Sequence, residues 1–137
     1  MRKHINVVGA VIVDGGKVLA AQRSSSSSLP NLWEFPGGKI EADETPQAAL
    51  VREIAEELDC EISVHDAITT TVHEYEFAQV TLTTYWCRLI SGVPTPSEHA
   101  ALAWLAPSEF ERVEWAPADV PALALIEAEL RSRASTS

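Results

Sequence analysis

Two cysteines and one methionine occur in the 137 residues, and cations are scarce: ten Lys and Arg stand against twenty Asp and Glu, a formal net charge of −10. Each shortage excludes something. Cys60 and Cys87 are too few for a disulfide framework and lie in neither a C-x-x-C nor a Cys/His zinc pattern, so both read as ordinary buried thiols. Without a basic surface the chain has nothing to displace counterions from a phosphate backbone, which argues against a polymeric nucleic-acid partner and against docking on anionic membrane. No apolar run approaches the ~18 residues of a membrane span. The opening MRKHINVVGA carries positive residues but is interrupted at Asp14 and Gly15 before it can form a signal-peptide core. A cytoplasmic location is the expectation.

Apolar material is plentiful. At 46% hydrophobic, with four Trp, three Phe and two Tyr, the chain is too rich in core formers to be disordered despite its charge. Residues 4–13 read as a strand, Asp14-Gly15-Gly16 as a hairpin turn, and residues 17–23 as the returning strand. Residues 24–31 form a serine-rich loop. Trp33-Glu34-Phe35 is a strand stub stopped by Pro36-Gly37-Gly38. A helix is predicted over 45–58, with Thr45 as N-cap, Pro46 at its first position, and Leu50, Val51, Ile54, Ala55 and Leu58 as the core stripe. Further strands are expected at 61–76 (broken), 79–89 and 100–105. A short helix opens at Pro107, and a last one runs from Asp119 or Val120 to Leu130. There is no repeat or linker. Residues 1–131 therefore read as a single α+β domain, an α/β/α sandwich, and 132–137 as a disordered C-terminal tail.

The excess of acid is concentrated. Residues 38–60 hold seven Asp and Glu against Lys39 and Arg52, a local excess that is half of the whole chain's. Within the predicted helix Glu53, Glu56 and Glu57 are spaced i, i+3, i+4, so three carboxylates share one face away from the core stripe. Arg52 can pair with Glu56, but the other two lack a cation at i±3 or i±4. Such crowding costs an isolated helix roughly 0.2–0.5 kcal/mol per pair. Hard oxygen ligands gathered in this way suit Mg²⁺ or Mn²⁺, particularly when phosphate oxygens complete the shell.

The spacing of the neighbours extends this face into a longer pattern. Gly38, Glu44, Arg52, Glu53, Ile54, Glu56 and Glu57 fall on the fixed positions of G-x5-E-x7-R-E-U-x-E-E-x-G-U, U being aliphatic. On these residues the chain resembles the Nudix hydrolase family. Two positions depart: Asp59 stands where the pattern has its late glycine, and Cys60 at the following aliphatic. The run LWEFPGGKIE looks like the MutT branch. The runs SEHAALAW and WAPADVPAL look most like the branch holding CTP pyrophosphohydrolases and mycobacterial MutT-like enzymes. The resemblance spans about residues 5–130 and implies the Nudix fold, a mixed β-sheet between helices.

The resemblance also implies an activity and a site. The activity is hydrolysis of a nucleoside triphosphate to its monophosphate and pyrophosphate with Mg²⁺, or Mn²⁺ in its place, as cofactor, on (d)CTP-like or oxidised purine (8-oxo-dGTP) substrates in nucleotide-pool sanitation. Catalytic positions would be Glu53, Arg52, Glu44 and Glu98: Arg52 orienting Glu53, Glu44 supporting, and either Glu53 or Glu98 as general base. Metal positions would be Gly38, Glu53, Glu56, Glu57 and Glu98, and substrate positions Arg23, Phe35, Gly37, Lys39 and Asp119. Arg23 and Lys39 would face phosphates. Gly37 and Gly38 would let backbone approach, although no G-x-x-x-x-G-K-[ST] P-loop exists. Asp119, in Ala116-Pro117-Ala118-Asp119, would read the base; read as ionised it only accepts hydrogen bonds, and it equally suits a helix N-cap. Phe35, Trp33 and Tyr75 would be pocket walls or core. His4, His65, His73 and His99 have no ligand spacing and are set aside as non-catalytic. Two other classes stay open: a Nudix hydrolase of dinucleotides or nucleotide sugars, and a nucleotide-binding Nudix module without catalysis. The sequence implies no oligomeric state.

Overall fold

The computed structural model describes residues 3–136. Strand β1 (His4–Asp14) is the spine. Its Val8, Ala10 and Ile12 point into one core and Val11 into another, the period-two alternation of a strand buried on both faces. Gly15 and Gly16 both have positive φ, 60° and 78°, as a two-residue hairpin demands, and deliver the chain into β2 (Lys17–Gln22). β1 pairs with β2 only at Val13↔Val18 and Asp14↔Lys17, and then the two strands part.

The gap is filled by a strap. β3 (Trp33–Glu34) adds to β2, and β4 (Gly37–Lys39) adds to β1 with Val8 opposite Gly38 and Gly9 opposite Gly37. The sequence reading had Pro36-Gly37-Gly38 as a stop. It is instead a crossing between two ladders, in which the Ala10 amide donates to the Pro36 carbonyl at 2.7 Å. A Cβ on Gly37 would lie 1.9 Å from the Val8 carbonyl oxygen, so only glycine pairs here.

β6 (Gln79–Ser91) runs parallel to β1, and β5 (Glu61–Glu74) runs antiparallel to β6 with register shifts between Val64 and Thr69, the expected break. β7 (Ala101–Leu105) covers the outer edge of β2. The seven-stranded mixed sheet lies between two helices. Helix α1 (Pro46–Leu58) packs on Val8, Ala10, Ile12, Leu19 and Ile62, and α2 (Val120–Thr136) on Val11, Val18, Phe35, Phe110 and Trp115. The expected α/β/α layering holds.

α1 starts as predicted, with Thr45 Oγ1 accepting from the Ala48 amide at 3.1 Å. Its buried stripe is Ala49, Leu50, Ile54 and Leu58. Val51 and Ala55 are exposed, because the stripe is narrower than the sequence reading allowed and is centred on Leu50 and Ile54. α2 outruns its expected end. Residues 132–136, expected as a disordered tail, continue the helix, supported by Arg131–Glu127 and Arg133–Glu129 ion pairs and by Arg133 lying 4.7 Å over the Trp86 ring. Both thiols are free and buried, burial pushing Cys87 up to about 12. Among the described residues no helix is long and apolar enough to cross a membrane.

Asp59 ends α1 in the left-handed region, φ 53° and ψ 42°, with its amide donating to the Ala55 carbonyl. An L-residue pays a steric cost there, and a carboxylate opposes the negative end of the helix dipole. Asp59→Gly is therefore expected to raise stability by about 1 kcal/mol and to leave kcat unchanged. Thermal denaturation checks the first part, and a fall in kcat would contradict the second.

Candidate active site

The exposed face of α1 meets the β3–β4 strap. Arg52 is the hub of this junction. Its Nε and Nη2 donate to the two Glu44 oxygens at 2.7 and 2.9 Å, its Nη1 to Glu53 Oε1 at 2.7 Å, and its Nη2 also to the Lys39 carbonyl at 3.2 Å. Glu44 is fixed from its other side by the Glu41 amide at 3.0 Å. The Arg52 fork, then that amide, hold the Glu44 carboxyl down at about 2, and the two carboxylates raise the Arg52 pKa in return. A guanidinium clamped in this way does not reach for substrate. It aims Glu53.

Glu53 is aimed at Gly38. A Cβ at Gly38 would fall 1.9 Å from Glu53 Oε2, so the bare glycine is the seat in which that carboxylate rests. Glu53, Glu57 and Glu98 line one cleft with Gly37, Gly38, Lys39, Arg23 and His99. Glu57 has its pKa raised by burial and then by Glu98, with Glu53 and Glu34 adding to the effect and His99 opposing it. Glu53 is paired with Arg52, whereas Glu57 feels the other carboxylates with only His99 opposing them. Among the described residues, no three Asp, Glu, His or Cys side chains already stand close enough to share one ion. The donor chemistry nevertheless fits a hard divalent cation, whose charge would relieve the repulsion felt by Glu57. Glu56 is not brought in. It pairs with Arg52 Nη1 at 3.3 Å, its side chain is 61% exposed, and it does not line the cleft.

A second cavity, about 470 Å³, opens from the same strap. It shares Arg23, Glu34, Gly37, Gly38 and Lys39 with the acidic cleft and continues over Phe35, Tyr75, Phe77, Leu82, Ala118 and Asp119. Tyr75 and Phe77 stack with centroids 5.1 Å apart, and the Tyr75 hydroxyl accepts from the Ala118 amide at 2.9 Å. Phe35 belongs mainly to the core, its ring 4.9 Å from that of Trp115, as does the half-buried Trp33. The Phe35 amide serves the site instead, donating to Asp119 Oδ2 at 2.9 Å.

Asp119 is buried in the short 3-10 turn leading into α2, and the hydrogen bond found for it pins the strap. Burial, then Glu34, push its pKa well above the ordinary carboxyl value, with the Phe35 amide pulling the other way. The sequence reading takes Asp119 as a plain ionised acceptor, whereas its burial pulls toward the neutral carboxyl, which can donate as well as accept. A raised folded-state pKa means stability that is full below the unfolded value and lost as pH climbs toward the folded one. Asp119→Asn, neutral at every pH and still able to accept from Phe35, should therefore gain in melting temperature over wild type as pH rises from 5 to 8. A gap that stays constant or narrows contradicts the assignment.

Two residues that sequence reasoning passed over stand where the cavities meet. Glu34 Oε1 accepts from Arg23 Nη1 at 2.8 Å, and Glu34 Oε2 lies 3.0 Å from His99 Nε2. The Glu34 bond raises the His99 pKa against the opposing pull of burial. Arg23 reaches Ser28 Oγ as well, at 3.3 Å, so the serine-rich loop borders the site. A lone acid inside the aromatic stub Trp33-Glu34-Phe35 was the one sequence signal for Glu34.

Comparison with known proteins gives a consistent result. The NUDIX domain profile matches residues 7–125. The CTP pyrophosphohydrolase of Escherichia coli (strain K12) is 40% identical over 133 residues, covering 97% of this chain and 96% of that protein. A putative 8-oxo-dGTP diphosphatase 2 of Mycobacterium tuberculosis (strain ATCC 25618 / H37Rv) is 41% identical over 116 residues, covering 82% and 81%. Among solved structures, the MutT protein of methicillin-resistant Staphylococcus aureus 252, a Nudix hydrolase, superposes with a TM-score of 0.77 at 52% identity, covering 94% of this chain and 99% of that one. The solution structure of the E. coli ORF135 protein superposes with a TM-score of 0.81 at 38% identity, covering 96% and 94%.

Proposed function

Since the chain belongs to the Nudix hydrolase family, we propose that it hydrolyses nucleoside triphosphates to the monophosphate and pyrophosphate, on (d)CTP-like or oxidised purine nucleotides, in nucleotide-pool sanitation in the cytoplasm. The observation that carries this reading is the joining of an acidic cleft to a mostly apolar pocket through one shared strap. One bound nucleotide spans both, with its base over Tyr75 and Phe77 and its phosphates beside Glu53, Glu57 and Glu98.

Nudix hydrolases generally use divalent metal ions, and Mg²⁺ is the expected one here, with Mn²⁺ as a substitute. Glu53, Glu57 and Glu98 would hold it, with the backbone at Gly37 and Gly38 alongside. When bound, the ion neutralises the polyphosphate and makes water at the site more acidic. The protein's own groups do the rest. Arg52, locked on Glu44, holds Glu53 in its seat on Gly38, where it can take a proton from the attacking water. Glu98, which lines the same cleft, is the alternative base. Arg23 and Lys39 offset phosphate charge at the cleft rim, and Glu34 keeps Arg23 from folding away.

Asp119 reads the base. With its proton it offers a donor and an acceptor, matching the N3 and N4 amino group of cytosine. Without it, the carboxylate accepts from the N1–H and N2 amino group of a guanine. The test is kcat/KM for dCTP, CTP, 5-methyl-dCTP, dGTP and 8-oxo-dGTP on wild type, Asp119→Asn and Asp119→Ala. Asp119→Ala should cost the preferred substrate on the order of ten-fold or more beyond its cost to the others, because a base edge loses its polar partner. A uniform loss would confine Asp119 to holding the strap. Faster turnover of dinucleotides or nucleotide sugars than of any triphosphate would overturn the substrate class.

A further inference from the structure

Glu98 stands on an exposed, irregular stretch between β6 and β7, yet it lines the cleft beside Glu57. A side chain on such a connection holds a fixed place only if its neighbours anchor it. Here they do so on both sides. Ser97 Oγ donates to the Glu57 carbonyl at 2.8 Å, tying the stretch to the last turn of α1. His99, its side chain only 9% exposed, sets Nε2 3.0 Å from Glu34 Oε2. The Thr95 amide on the Leu58 carbonyl at 2.9 Å, and the Ala100 amide on the Gln22 carbonyl at 2.8 Å, close the stretch at its two ends.

We propose that His99 is a positioning residue for the reaction: braced on Glu34, it holds residues 97–100 so that Glu98 stays beside Glu57. This rests on the reading of Glu98 as a carboxylate of the reacting cleft. The strand register shows why the brace reaches. Ala21 of β2 pairs with Glu34 on one edge and Gln22 pairs with Ala101 on the other, so β3 and β7 flank the same end of β2, and His99, just before β7, reaches Glu34 there. Glu34 is a firm anchor because its second oxygen is held by Arg23 at 2.8 Å. The imidazole is a rigid spacer with two rotatable bonds, and its task needs a hydrogen bond at one nitrogen. The same contact joins the two cavities, since Glu34 lines both of them while His99 lines the cleft alone.

The test compares His99→Ala, His99→Gln and Glu98→Gln, singly and with His99→Ala added to Glu98→Gln, by steady-state kinetics, together with amide hydrogen exchange in the metal-free protein. Glutamine carries an amide nitrogen at nearly the distance of Nε2, so it keeps the bond to Glu34. His99→Ala should lower kcat roughly 10–100-fold, the scale of a misplaced catalytic group, with KM changed little. His99→Gln should recover most of that loss. In the Glu98→Gln background His99→Ala should cost nothing further, because the group it positions is already disabled. Exchange at the Ala100 amide should accelerate in His99→Ala and not in His99→Gln. Unchanged kcat, full additivity with Glu98→Gln, or failure of His99→Gln to rescue would overturn the proposal. If wild type cleaves no triphosphate, the functional reading fails, and the Ala100 exchange still decides whether His99 holds the segment.

Discussion

Glu53→Gln is expected to lower kcat by roughly 10²–10⁴-fold, the usual worth of a positioned proton acceptor, while the protein folds and melts as before. Glutamine matches the shape of glutamate, and its amide oxygen can still accept from Arg52 Nη1, which stands 2.7 Å from Glu53 Oε1. What disappears is the charge and the basic lone pair on the oxygen seated over Gly38. Glu98→Gln measured beside it separates the two candidate bases. The larger loss in kcat identifies the residue that takes the proton, and the smaller one marks a carboxylate that only binds. Equal, slight losses from both would remove each of them from the chemistry.

The second large effect separates two adjacent glycines. Gly38→Ala places a methyl group where the Glu53 carboxylate lies, and the atoms in its way are the far end of a flexible side chain. Glu53 swings aside, the fold survives, and kcat falls on the order of 10²-fold, since a reacting group has lost its geometry. Gly37→Ala instead drives its methyl group to within 1.9 Å of the Val8 carbonyl, an atom of the β1 backbone that cannot step aside. The β1–β4 ladder gives way, at a cost of about 1–3 kcal/mol in stability. Melting curves and kcat for both variants test the contrast. Inactivity and instability appearing together at Gly38 would mean that it supports the fold rather than seating Glu53.

How far the sequence disclosed this site follows the range of each interaction. The acidic face of α1 was legible because Glu53, Glu56 and Glu57 repeat at helical spacing, and the Thr45-Pro46 start because capping is a local event. The strap was misread because Gly37-Gly38 resembles a turn in isolation, and its pairing with Val8 and Gly9 is made across about thirty residues. Glu56 shares the helical spacing of its neighbours but stays largely exposed and outside the cleft lining, a difference that spacing alone does not record. The upward push on the Asp119 pKa arises from burial that no local pattern records. Glu34 and His99, 65 residues apart, meet only because β3 and β7 flank the same strand end, so a histidine without ligand spacing was passed over. The chain's excess of acid, at first a reason to exclude polyanionic partners, is in the fold partly the wall of one cleft.

Hydrolysis to the monophosphate and pyrophosphate is read directly by ³¹P NMR of the products formed from dCTP and from 8-oxo-dGTP with Mg²⁺ present. The nucleoside monophosphate and pyrophosphate should form in equal amounts, with neither formed when the divalent ion is chelated. Release of inorganic phosphate with the nucleoside diphosphate, or no cleavage of any triphosphate, would contradict the proposed function.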